Sequence, residues 1–205
     1  MVYLALLNVL LIGFDLTYLG LRPWYLRHAP AVTTFFDPYK GIEAQPVTDR
    51  YLLLAMQAEQ QVRAEAPPGD LLATLQPLKE LSAKMLERNP FAETNRPEAL
   101  QHIVQRMAVQ LGPETAPWPP AGRVEEQNIF RAFWANDPGL GERLVAFREE
   151  IAPLLVANYS RRWNPDNGQP IDRVWLLDLP FLLLFAAEFL TRWGIALVRG
   201  VYRRW

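Results

Sequence analysis

From Val174 to Val198 the sequence runs 25 residues with only three charged side chains, Asp178, Glu188 and Arg192. About 20 apolar residues cover the hydrocarbon core of a bilayer, so this run is long enough to cross one. Pro180 falls in its first two turns, where the missing N–H costs a helix least. Each ionised group inside lipid is disfavoured by roughly 3 kcal/mol on insertion scales, so the three charges require partners or a polar surface. A second apolar block, Met1 to Leu21, carries a single charge at Asp15. It has no basic residue ahead of its apolar core and no small-x-small cleavage site, which favours a membrane helix over a signal peptide. Arg22, Trp24, Tyr25 and Arg27 follow it as an expected interfacial belt.

Charge is partitioned along the 205 residues. Between His28 and Asp172 the sequence carries 14 Lys/Arg and 19 Asp/Glu, whereas the two ends together carry 7 Arg and 3 acids. The basic Arg199, Arg203 and Arg204 mark the C-terminal end as cytoplasmic by the positive-inside tendency. Two crossings then place the N-terminus on the same side and the acidic middle outside the cytoplasm. The expected organisation is all-α. A first transmembrane helix with its belt occupies 1–27, a helical extracytoplasmic domain 28–172, and a second transmembrane helix with a basic end 173–205.

The middle reads as about five helices. Val47 to Glu65 has apolar residues at helical spacing, with Thr48 or Pro46 at its start, and Pro67-Pro68-Gly69 ends it. Asp70 is expected to cap Leu71–Arg88, kinked or restarted at Pro77. Asn95 is expected to cap Arg96–Leu111, with Pro97 in its first turn. A proline-rich loop follows, with Trp118 as its expected packing anchor. Arg123–Asn136 and Leu140–Trp163 complete the set, the last bent at Pro153. No alternating strand pattern of useful length occurs. Phe130, Phe133 and Trp134 share one helical face, as do Phe147, Ile151 and Leu154, which is the pattern of a core.

The residues available for chemistry are few. The chain has no cysteine, which excludes disulfides and thiol chemistry. Its two histidines, His28 and His102, lie far apart and outside any metal-ligand spacing. The acidic pairs Glu125-Glu126 and Glu149-Glu150 read as solvated faces. No nucleophile elbow, phosphate loop or dinucleotide fingerprint is present. The expectation is a non-enzymatic protein without cofactor or metal. Nucleic acid is not an expected partner, because the middle is acidic and the basic tail adjoins a membrane helix.

The charges of the second apolar run fall in a pattern. Relative to Asp178, Phe185, Glu188 and Arg192 lie 7, 10 and 14 residues on, which at 100° per residue gathers all four within an arc of about 80°. Such a stripe faces protein or a water-filled crevice rather than lipid. An equally simple account makes Glu188 and Arg192 an i,i+4 pair, with Asp178 near the interface and Phe185 facing lipid.

The stretch Phe185-Ala186-Ala187-Glu188-Phe189-Leu190-Thr191-Arg192, with Asp178 ahead of it, resembles the second helix of voltage-sensor domains in voltage-gated cation channels. The resemblance implies that Asp178 is an outer countercharge, Phe185 an aromatic plug and Glu188 an inner countercharge. Asn8 and Asp15 would add polar contacts in the same crevice. That family also has a third and a fourth, arginine-bearing helix, which would lie beyond Trp205. The chain further resembles an uncharacterised family of cyanobacterial membrane proteins, through Asn8–Tyr18, Phe36-Asp37-Pro38-Tyr39-Lys40-Gly41-Ile42-Glu43, Asn89-Pro90-Phe91-Ala92 and Trp175–Phe181. This implies a plasma or thylakoid membrane, with the insert in periplasm or lumen. Two functions follow as expectations. One is the N-terminal part of a voltage-sensor-like ion transport protein. The other is a non-enzymatic accessory or assembly subunit of a larger membrane complex, such as a photosynthetic one. Membrane lipid and further membrane helices or subunits are the expected partners.

Overall fold

In the computed structural model the described residues are 2–94, 96–116 and 118–198. In chain order they form α1 (Val2–His28), α2 (Pro30–Phe36), β1 (Ile42–Ala44), α3 (Pro46–Arg63), α4 (Pro68–Glu87), a 3-10 turn (Ala92–Thr94), α5 (Glu98–Leu111) and α6 (Arg123–Phe133). Then come α7 (Leu140–Ala146), a turn of π-helix (Phe147–Ile151), α8 (Ala152–Val156), β2 (Tyr159–Arg161) and α9 (Trp175–Val198). The chain is mostly helical, and α1 and α9 are both long and apolar enough to cross a membrane.

The chain divides into two compact units, one made of Met1–Ile42 with Arg161–Trp205 and the other of Glu43–Ser160. Segments 28–42 and 161–172 therefore group with the long apolar helices rather than with the acidic middle.

The 43–160 unit is a helical bundle in which α3 packs on α4, α5 on α6, and α6 also on α4. Its core holds Tyr51, Leu75, Leu78, Met85, Ile103, Met107, Phe130, Phe133 and Trp134, all essentially without solvent exposure. The aromatic pattern of α6 is thus core packing. One polar chain crosses this core. Trp134 donates its indole N–H to the Tyr51 hydroxyl at 2.6 Å, and that hydroxyl lies 3.0 Å from Ser82 Oγ. Ser82 donates to the Leu78 carbonyl at 2.8 Å, so its single proton is committed and Tyr51 is the donor to Ser82. Burial pushes the Tyr51 phenol up from its ordinary value, while the hydrogen bonds with Ser82 and Trp134 oppose that shift. Arg143 closes the end of α6, donating to the carbonyls of Phe133 at 2.7 Å and Ala135 at 2.8 Å, and to Asp137 at 2.9 Å. That hydrogen bond holds the Asp137 carboxyl below the usual carboxylate range.

Several expectations are corrected here. Helix α3 is capped by Gln45, whose side chain accepts from the Val47 and Thr48 amides at 2.8 and 2.9 Å, with Pro46 as first helical residue. Helix α4 runs through Pro77 without restarting, and Pro67 rather than Asp70 precedes it. The last bundle helix stops at Val156, well short of Trp163, because the chain turns into β2, which pairs with β1. Trp118 is 42% exposed and anchors no core. The capping role read for Asn95 and the basic tail Arg199, Arg203 and Arg204 lie outside the described residues.

In the other unit, α1 packs against both α2 and α9. The residues of α1 that are not exposed are Leu4, Asn8, Leu11, Phe14, Asp15, Tyr18, Leu19, Arg22, Tyr25 and Leu26, a seam at helical spacing. Helix α2 was not expected from sequence. It opens with Pro30 and folds the chain back along α1, so that Phe36 reaches Phe14 with ring centroids 4.5 Å apart. Residues 39–41 are then stitched to the returning chain. Gly41 accepts from the Arg162 amide at 2.7 Å, and Tyr39 from the Arg173 amide at 2.6 Å. Gly41 has φ +62°, and a Cβ there would stand 2.9 Å from both Cβ and the carbonyl oxygen of Ile171. Only glycine meets both demands.

Candidate functional site: a polar seam on the apolar helices

Asp178, Phe185 and Glu188 are half-buried, as are Leu177, Phe181, Gly194 and Ala196, while the remaining residues of α9 are exposed. The angular stripe read from the sequence is thus the least exposed face of the helix. Its fourth member behaves differently. The Arg192 side chain is 77% exposed and donates to Glu188 Oε1 at 2.6 Å, one turn away on the same helix. This is the i,i+4 pair anticipated from spacing alone. Asp178 has a partner on the other long helix, accepting from Asn8 Nδ2 at 3.3 Å.

Asp15 does not join that pair. Its carboxylate forms an ion pair with Lys40, whose Nζ also donates to Asp172 Oδ2 at 2.8 Å. Lys40 is 5% exposed. Burial alone would lower its pKa, but the hydrogen bonds and charges of Asp15 and Asp172 outweigh that penalty and the net shift is upward. Lys40 is therefore a cation held between two carboxylates.

One turn further along α1 a second cluster forms around Asp37. Arg22 Nε donates to Oδ1 at 3.0 Å and Arg22 Nη2 to Oδ2 at 2.8 Å, while the Tyr18 hydroxyl donates to Oδ1 at 2.7 Å. The Arg22 and Asp37 side chains are 6% and 18% exposed. Bidentate geometry between planar groups is the strong form of this contact. Arg22 is thus a buried structural cation and not a belt residue. Trp24 and His28 remain at the surface, stacked at 4.8 Å.

Lys40, Asp37 and Asp172 were missed as site residues, because their partners are supplied by a chain reversal that spacing does not encode. A signal for the α1 half was present. Asp15, Tyr18 and Arg22 lie at offsets 0, 3 and 7, within an arc of about 60° on one helical face.

The bundle offers little in comparison. A groove of ≈ 330 Å³ between α4 and α6 is bordered by Lys79, Glu80, Gln127 and Arg131. Another of ≈ 480 Å³ is bordered by Asn89, Glu98, Gln101, Arg123 and Glu126. Among the described residues no group of three or more His, Asp or Glu stands close enough to hold a metal. No known protein family, curated protein or solved structure matches the chain.

Proposed function

We propose that the chain is an integral membrane protein acting as a non-enzymatic accessory subunit, whose α9 stripe receives a helix of a partner membrane protein. One observation carries this reading: none of the 24 residues of α9 is buried, yet the helix holds Asp178 and Glu188. Lipid penalises both acids, and the Glu188–Arg192 pair with the Asn8–Asp178 hydrogen bond offsets only part of that penalty. A partner helix bearing a polar side chain removes the rest. Solubilisation in mild detergent tests it. The chain is expected to co-migrate with a larger membrane protein, and Glu188→Leu with Arg192→Leu to release it without loss of expression. Migration alone at every detergent level would count against the reading.

A second reading, a voltage-sensor-like part of an ion transport protein, rests on a different observation: Asp178, Phe185 and Glu188 share one half-buried stripe. It predicts voltage-driven cation flux in liposomes that Glu188→Gln and Phe185→Ala change. Flux indifferent to both substitutions would dismiss it.

A further inference from the structure

We infer that the membrane boundary of this protein lies at the level of Lys40, so that α9 spans the hydrocarbon while α1 enters it only with Val2–Phe14 and stands in water from Asp15 onward. The inference rests on the membrane reading above and departs from two matched crossings.

The Asn8–Asp178 hydrogen bond fixes one level of α1 against α9. Lys40 fixes another by holding Asp15 and Asp172 on one nitrogen. Moving 7 residues up α1 corresponds to moving 6 back from Asp178, so the two ties agree on an antiparallel register to within one residue. In that register the middle of the Met1–Leu21 block is level with the first turn of α9. The midpoints of the two apolar segments are thus offset by roughly 17 Å along the helix axes, more than half of the ~30 Å hydrocarbon core. Both helices cannot be centred in one bilayer.

Of the two helices, α1 is the one that yields. At Asp15, α1 is tied through Lys40 to Asp172, which belongs to irregular chain with exposed polar groups. The turn at 164–169 is held by Asn164, Asn167 and Gly168, and Asp172 has a 44% exposed side chain. Lipid-exposed irregular backbone does not occur in the hydrocarbon region. Below that level α9 has what a span needs. No residue of its apolar window is buried, and Leu182, Leu183, Leu190 and Ile195 are exposed around it. Trp175 and Trp193 are 59% and 49% exposed. They are 18 residues apart, ~27 Å at 1.5 Å per residue, which matches interfacial rings at the two faces of one bilayer. Arg192 then reaches the far interface beside Trp193.

The chain has no cysteine, so single nitroxide labels can be placed in the otherwise unaltered protein. Exposed sites are Leu16→Cys on α1 above the boundary, Leu6→Cys below it, and Leu183→Cys on α9. In phosphatidylcholine–phosphatidylglycerol liposomes, power saturation compares collisions with oxygen, which partitions into lipid, and with a water-soluble nickel chelate. The Leu16 label is expected to meet nickel. The Leu6 and Leu183 labels are expected to meet oxygen, roughly 15 and 20 Å deeper. A Leu16 label that meets oxygen at a depth near that of Leu183 overturns the asymmetric boundary while leaving the membrane reading intact. A Leu183 label that meets nickel means that α9 is not in lipid and overturns the membrane reading itself.

Discussion

Replacing Arg22 or Asp37 singly should harm this protein far more than replacing both. The Arg22 guanidinium is 6% exposed and bonded through two nitrogens to a carboxylate that is 18% exposed. Removing one member of a buried pair leaves an uncompensated charge, at about 3–5 kcal/mol, whereas a neutral pair of similar volume is often close to neutral. Arg22→Met leaves Asp37 with the Tyr18 hydroxyl and some water, so its cost belongs at the low end, ~3 kcal/mol. Asp37→Asn strands a guanidinium with less access to water, so its cost is at least as large. The double variant keeps the Tyr18 hydrogen bond and carries no net charge, and should lose only ~1–2 kcal/mol, a coupling of roughly 4 kcal/mol. For a chain of this size each kcal/mol moves the melting temperature by about 2–4 °C. Thermal unfolding of the detergent-solubilised protein should therefore show drops of roughly 6–12 °C for each single variant, and less than either for the double. Single losses below about 2 °C, or a double loss equal to the sum of the singles, would refute the buried-pair account.

Three other outcomes follow from the geometry. Tyr51→Phe leaves the Trp134 indole N–H without its acceptor inside the core, and should destabilise the bundle by about 1–3 kcal/mol in chemical denaturation. Because burial raises the Tyr51 phenol, its contribution is fully present below the unfolded value near 10 and is lost as pH rises toward the folded value. Alkaline difference spectra should accordingly show this tyrosine ionising only with unfolding. Gly41→Ala combines a positive φ with a clash against Ile171, and should cost ~2 kcal/mol or more in thermal melts. Ile171→Ala should not rescue it, since the clashing Cβ and carbonyl oxygen persist. Arg143→Lys replaces a fork that serves two carbonyls and Asp137 by a single ammonium, and should lose about 1–3 kcal/mol at neutral pH. The Asp137 share of that stability is present above the unfolded carboxylate value near 4 and fades as pH falls through its depressed folded value, which an acid titration of the melting temperature would reveal.

Helical periodicity carried the parts of this fold that depend on neighbours within a few turns. The apolar runs became α1 and α9, and the spacing of Phe130, Phe133 and Trp134 placed them in a core. The 100° step put Asp178, Phe185 and Glu188 on one stripe, and the four-residue spacing paired Glu188 with Arg192. Helix ends were less legible. Gln45 is an uncommon N-cap, and the 157–163 segment leaves helix because a strand partner more than 100 residues earlier competes for its backbone.

What the sequence alone determined, then, is local: which segments are helical, which faces are apolar, and that two of them are long enough for a bilayer. These follow from the 3.6-residue repeat and from side-chain polarity, which need no knowledge of distant chain. Only the tertiary structure decided where the charges of α1 find partners. Asp15 meets Lys40, which also holds Asp172, and Arg22 meets Asp37, because α2 reverses the chain and Gly41 admits the returning strand against it. A buried ion is tolerated only beside its counterion. That juxtaposition is a property of the folded path, set by contacts as distant in sequence as Lys40 and Asp172, 132 residues apart, and no periodicity in the chain announces it.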